Sequence, residues 1–239
     1  GLPNLASAYD YIGSRRDGGF AEFVVAPLGH LYRAPEGVPL DVAALVEPSV
    51  IALHALRMAG EAEDRTVCVI GLGPIGLILG QWAAAFGAAR VLGLSRTATK
   101  RSLATELGFE AADPTAVDPE SWVRDHTGGL GADIVIEGVG VAATIAQSMR
   151  LCRPRGRVIL LGNPSGDIHL GQYDYWQALR RELTLVGVWN ALWGPRAEED
   201  EWLTALEALG AGRLRLEPLI TLRISLDETP AAMAAMHSG

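Results

Sequence analysis

Three glycines stand at positions 71, 73 and 76, spaced G-x-G-x-x-G within Gly71-Leu72-Gly73-Pro74-Ile75-Gly76. This spacing suits the holding of a phosphate. Gly71 lets the chain turn sharply, Gly73 leaves no Cβ in the way of a pyrophosphate, and Gly76 lets a helix pack close to a strand. A helix starting at about Ile75 would turn its free N–H groups and the positive end of its dipole toward the anion. Ser95 lies 24 positions after Gly71, where the residue that reads an adenosine ribose is expected. An NAD site usually places a carboxylate there. Ser95 removes its repulsion toward a 2′-phosphate, and Arg96 can offer that phosphate a charged fork. Lys100 or Arg101 can assist from the following helix. These residues favour NADP over NAD; the competing reading makes Arg96 a solvated loop charge.

The elements that must position these groups are legible around them. Thr66-Val67-Cys68-Val69-Ile70 is a short apolar run that feeds the glycine turn, and an apolar helical run follows to about Phe86. Arg90–Leu94 reads as the next strand. Further strands are expected at 133–137, 157–161 and 183–188, with a helix over 142–151. Strands alternating with helices imply an α/β fold, a doubly wound Rossmann sheet of parallel strands. Right-handed crossovers align the strand C-termini. Gly71, Ser95, Gly138 with Val139, and Leu161 with Gly162 and Asn163 are then expected along one crevice.

The flanks differ. Residues 20–26 and 31–35 read as strands, and Asp41 as the cap of a helix starting near Val42. Pro48 is expected to interrupt that helix before a second stretch over 49–58. Residues 198–209 have helical periodicity, 219–224 read as a strand, and Asp227 as the cap of a final helix running to Gly239.

Bulk composition bounds the rest. With 28 acidic against 20 basic residues the net charge is −8, which argues against a nucleic-acid surface. No uncharged apolar run reaches membrane-spanning length, and no signal-peptide pattern is seen. Cys68 and Cys152 lack metal-type spacing and read as reduced core residues of a cytoplasmic protein.

Several segments, in order, carry a resemblance: Asp17-Gly18-Gly19-Phe20-Ala21-Glu22, Ala44-Leu45-Val46-Glu47-Pro48, Leu53-His54-Ala55 and the glycine turn. Together they resemble the medium-chain, zinc-dependent alcohol and polyol dehydrogenases over nearly the whole chain. The sugar-alcohol branch, which includes sorbitol and galactitol-1-phosphate dehydrogenases, is the most similar. Tyr9-Asp10-Tyr11-Ile12-Gly13, Glu182–Trp189 and Leu216–Ile220 add to it.

The resemblance implies reversible oxidation of a secondary alcohol of a polyol or sugar phosphate by NAD(P), assisted by zinc in the intact protein. It makes Glu47 a catalytic zinc ligand and puts the other family ligands, a cysteine and a His-Glu pair, upstream of residue 1. A structural zinc is not expected, since Ala6 stands where the family has its fourth cysteine. Residues 1–48 become the C-terminal part of a GroES-like, β-rich catalytic domain, 49–195 the nucleotide-binding domain, and 196–239 the return to the catalytic domain. A homodimer or homotetramer is expected, paired through the strand at 183–188.

Other readings stay open. Arg15 and Arg16 are either contacts for a substrate phosphate or surface charges. His54 reads as a packed histidine with one hydrogen bond. Trp189 and Asn190 follow a strand at the crevice, although Trp189 also fits a core position. Rival functions are a nucleotide-binding module without catalysis, such as a truncated paralogue, and a zinc-independent reductase, against which Glu47-Pro48 argues.

Overall fold

A computed structural model describes residues 3–8, 10–193 and 200–238. Tyr9, Glu198, Glu199, Gly239 and the expected 195/196 domain boundary lie outside the described residues.

The centre is a six-stranded sheet in the order β3-β2-β1-β4-β5-β6. Its strands are β1 (Thr66–Ile70), β2 (Arg90–Leu94), β3 (Glu110–Ala112), β4 (Ala132–Glu137), β5 (Cys152–Leu160) and β6 (Thr184–Gly187). Every neighbouring pair is parallel, with Val67 opposite both Val91 and Ile134. Strands buried on both faces read as near-continuous apolar runs, which is why β1, β2 and β4 are the most legible in the sequence. The chain leaves β1 toward β2 and β3, then returns to build β4 to β6 on the other side of β1. This reversal opens a crevice at the C-terminal ends of β1 and β4.

Helices cover both faces. On one side α2 (Val46–Ala59), α3 (Pro74–Ala85) and α8 (Glu201–Gly210) bury Leu53, Leu56, Ile78, Leu79, Trp82 and Ala205 against the sheet, and α4 (Ala98–Glu106), which follows β2, adds to this layer. The Trp82 indole N–H donates to the Ser49 carbonyl at 3.0 Å, so its polar edge is satisfied inside that layer. On the other side, where α7 (Gln172–Arg180) packs on α6 (Ala142–Leu151), the core of Leu92, Val135 and Val158 is closed by Val123 of α5 (Pro119–Asp125) and Leu151 of α6. Cys68 and Cys152 lie in this second layer as free thiols. Burial pushes both up to about 12, so they pack as protonated, small apolar groups.

Several expectations for the flanks are corrected. Pro48 does not interrupt a helix. It sits in the first turn of α2, where its missing N–H has no partner to lose. Asp41 lies inside the four-residue α1 (Leu40–Ala43), whose cap is Pro39. Residues 20–26, 31–35 and 219–224 form no strand. Their apolar residues suit a pleated surface, but a strand exists only with a ladder partner, and the described residues provide none. Phe23 and Val25 are accordingly left almost fully exposed. The last helix, α9 (Thr229–Ser238), is preceded by a capping box of Ser225 and Glu228 rather than by an Asp227 cap.

Residues 40–59 have the length and hydropathy to cross a membrane. Yet the segment is broken between α1 and α2 and carries Asp41, Glu47 and Arg57. Its face bearing Val50, Leu53 and Leu56 is core, so it behaves as a packed helix pair.

Candidate functional site

A cleft of about 460 Å³ opens at the sheet reversal. Its lining brings together Gly71, Gly73, Pro74, Ile75 and Gly76 from the β1–α3 turn, Gly138 after β4, and Leu161, Gly162 and Asn163 after β5.

Each glycine of the turn has a distinct local reason. Gly71 has φ +96°, a region that favours glycine, and an added Cβ would lie 2.8 Å from Val139 Cγ2. A Cβ on Gly76 would lie 2.0 Å from the Gly71 carbonyl oxygen, so only glycine lets α3 approach β1 this closely. Gly73 is different, because a Cβ there would meet nothing within 4 Å. Packing does not require glycine at this position; its bareness keeps the cleft open, as a bound pyrophosphate would need. Gly73 caps α3, Pro74 is in the first turn and no side chain caps the helix. The first intrahelical bond runs from the Leu77 N–H to the Gly73 carbonyl at 2.9 Å. The Ile75 and Gly76 amides therefore face the cleft end as free donors beside the positive pole of the helix.

The opposite wall is set by a residue the sequence reading missed. Glu137 ends β4 with no exposed surface. Its Oε1 accepts from the Val139 N–H at 2.8 Å, the Gly140 N–H at 3.0 Å and the Thr144 hydroxyl at 2.8 Å. These bonds offset its burial and fold the 138–140 loop around the carboxylate. A glutamate closing an apolar strand ahead of Gly-Val-Gly was the available signal. The same loop meets the one after β5 backbone to backbone: a Cβ on Gly162 would lie 2.2 Å from the Gly140 amide nitrogen.

Ser95, Arg96, Lys100 and Val139 do not line this cleft, which corrects the expectation for Ser95 and Val139. Ser95 begins the loop after β2, the strand beside β1, and the Gly71 N–H donates to Leu94 O at 2.9 Å. Arg101 is already committed, to the Ser95 carbonyl at 2.7 Å and to Asp113 at 3.0 Å. Arg96 and Lys100 are exposed and form no ion pair among the described residues.

Glu47 also lies outside the lining, exposed in the first turn of α2, although surrounding atoms desolvate it enough to raise its pKa. Ile51, one helical turn later on the same face, does line the cleft. No three His, Cys, Asp or Glu side chains come together as a metal site among the described residues. Arg16 is exposed and pairs with Asp10, holding that carboxyl below its usual range, and Arg15 is exposed beside it. His54 keeps its expected single hydrogen bond, to Glu201. Trp189 and Asn190 line the cleft, and Trp189 is half exposed rather than core. Ile51, Val69, Leu79 and Val188 complete the lining. Their apolar character gave no sign of whether they face core or cleft.

Residues 74–209 match the family profile of the zinc-binding dehydrogenases. The chain is 33% identical over 237 residues to galactitol 1-phosphate 5-dehydrogenase of Escherichia coli K12, covering 98% of this chain and 67% of that protein. It is 30% identical over 240 residues to a sorbitol dehydrogenase of Halalkalibacterium halodurans, covering 99% and 67%. Its structure superposes with a TM-score of 0.86, at 33% identity, on a Sinorhizobium meliloti zinc-binding dehydrogenase solved with NADP, covering 97% of this chain and 66% of that one. The chain thus spans about two thirds of the length of these relatives. The profile match begins at Pro74, just after the first two glycines of the turn, and covers the loops after β4, β5 and β6 and the whole sheet apart from β1; the chain belongs to the zinc-binding dehydrogenase family.

Proposed function

We propose that the cleft binds NADP(H), and that the protein uses it in the reversible oxidation of a secondary alcohol of a polyol or sugar phosphate to a ketone. The observation that carries this reading is the contrast within the turn. Gly71 and Gly76 are needed for packing, whereas Gly73 leaves free space beside uncapped helix amides. Gly71, Gly73, Pro74, Ile75 and Gly76 would hold the pyrophosphate, and the loops at 138–139 and 161–163 would flank the rest of the dinucleotide. Ser95, Arg96 and Lys100 would select the 2′-phosphate. The alcohol-oxidation half of the proposal draws on the galactitol 1-phosphate and sorbitol dehydrogenases.

Zinc in such an enzyme stabilises the developing alkoxide. Glu47 is the ligand proposed here, one turn from the cleft-lining Ile51. One carboxylate does not fit a catalytic zinc, which takes three protein ligands. Metal analysis of the 239-residue chain should therefore find no stoichiometric zinc, and a panel of sugar alcohols and their phosphates should show no turnover. A form carrying the family's remaining ligands should regain both. Stoichiometric zinc with turnover on the 239-residue chain would overturn the assignment, while nucleotide binding without turnover in the longer form would favour a non-catalytic module.

Two flanking catalytic segments around a nucleotide-binding unit of about 49–195 remain our division of the chain, although its first boundary falls inside α2. The unpaired thiols suit a reducing, cytoplasmic setting. β6 is an open edge with Leu185 half exposed, which suits pairing with a second copy into a homodimer or homotetramer. Light scattering at micromolar concentration should give at least a dimer mass; a monomer mass would count against this pairing.

A further inference from the structure

The loop leaving β6 must hold Trp189 and Asn190 at the cleft, although it follows an edge strand and carries a half-exposed indole. Its shape is not intrinsically favoured. Asn190 has φ +60°, and its own side-chain oxygen accepts from the Ala191 N–H at 2.9 Å. The loop is fastened from outside at two points. Asn4 Nδ2 donates to the Trp189 carbonyl at 3.1 Å. Beyond Asn190, the Leu192 N–H donates to Glu201 Oε2 at 2.6 Å.

Glu201 is the unusual member. It opens α8, where a solvated carboxylate would interact well enough with the helix dipole, yet it is only 1% exposed. Its second oxygen, Oε1, lies 3.0 Å from His54 Nδ1 and 3.6 Å from Arg57 NH1, both on α2. A carboxylate only accepts, so Nδ1 carries the proton of that bond. Arg57 is itself anchored on Thr204 Oγ1 at 3.2 Å. Burying this charge is costly, and the bonds made by both oxygens compensate it. The result is a tie in which α2, which presents Ile51 to the cleft, is joined through one buried carboxylate to the loop that presents Trp189 and Asn190.

We propose that Glu201, held by His54, is a positioning residue for the bound dinucleotide: it fixes the Trp189–Asn190 loop as a wall of the cleft. This rests on the reading that the cleft binds NADP(H). Glu201 is not among the residues that line the cleft and acts through the Leu192 amide and α2.

The experiment uses Glu201→Ala and Glu201→Gln in the 239-residue chain, with two readouts. In the free protein, amide exchange of peptides covering residues 188–193 should rise at least tenfold in Glu201→Ala. It should stay within about twofold of wild type in Glu201→Gln, whose side-chain oxygen still accepts from Leu192. For NADPH, followed by energy transfer from tryptophan, affinity should fall about tenfold in the alanine variant and stay within about threefold in the glutamine variant. If the alanine variant does not fold, His54→Ala replaces it, with a smaller rise in exchange and a smaller loss of affinity expected. Unchanged exchange at 188–193 would overturn the tie, and unchanged NADPH affinity with raised exchange would overturn the positioning role. A wild-type chain that binds no NADPH would overturn the nucleotide reading and the positioning role, leaving the exchange result to decide the tie.

Discussion

Gly76→Ala is expected to remove NADPH binding and to destabilise the chain by about 3 kcal/mol or more, the upper end of overpacking costs. The added methyl would sit 2.0 Å from the Gly71 carbonyl oxygen, 3.1 Å from the Gly71 carbonyl carbon and 3.3 Å from Val69 Cγ1. The two nearest atoms are main chain, so no rotamer change can make room. α3 must move off β1, and the Ile75 and Gly76 amides move with it. Gly73→Ala is the control. With nothing within 4 Å of its methyl, it should leave the urea midpoint nearly unchanged and still weaken NADPH, because the methyl occupies cleft space. Urea denaturation and NADPH titration on both variants check the pair. A stable, binding-competent Gly76→Ala would contradict the close-approach argument, and a Gly73→Ala protein that binds like wild type would contradict the phosphate role of the cleft.

The second large effect concerns which dinucleotide is preferred. Wild type should bind NADPH more tightly than NADH. Arg96→Ala should narrow the gap by about 1.5–3 kcal/mol, the usual contribution of a hydrogen bond to a charged group. Ser95→Asp should add repulsion of the 2′-phosphate, and the double variant should reverse the preference. The geometry makes Arg96 the sharper test than Arg101, because Arg101 is held by Ser95 O and Asp113. An exposed contact of this kind should also weaken as salt rises. Equal affinities in wild type, or no change in the ratio on mutating Arg96, would remove the basis for NADP selection.

The legible parts of the fold were those whose local pattern and global role agree. β1 and β2 occupy the positions their apolar runs imply, because burial on both faces leaves no polar alternation to confuse, and α6 shows its buried Ile145, Ala146, Met149 and Leu151 at helical spacing. The cleft glycines were legible for a related reason: their spacing encodes a backbone geometry rather than a side-chain preference. What failed depended on partners. Residues 20–26 look like a strand but have none to pair with among the described residues. Pro48 looks like a helix breaker, but its effect depends on which turn it occupies. β3 is three residues long, too short for alternation to show. Glu201 and Glu137 look like ordinary acidic residues, and their burial becomes visible only once α2, the 188–193 loop and the 138–140 loop are placed around them.

The proposed nucleotide site is one cleft, at the C-terminal ends of β1, β4 and β5. Amide hydrogen exchange of the 239-residue chain with and without NADPH tests it most directly. NADPH should protect peptides covering 71–76, 95–97, 138–140, 161–163 and 188–190, with little change elsewhere. The opposite end of the molecule offers a rival hollow of about 410 Å³ lined by Leu56, Arg57, Gly60, Glu61, Ala62, Glu63 and Phe86. Protection confined to that hollow, or none at the glycine turn under saturating NADPH, would exclude this cleft as the dinucleotide site.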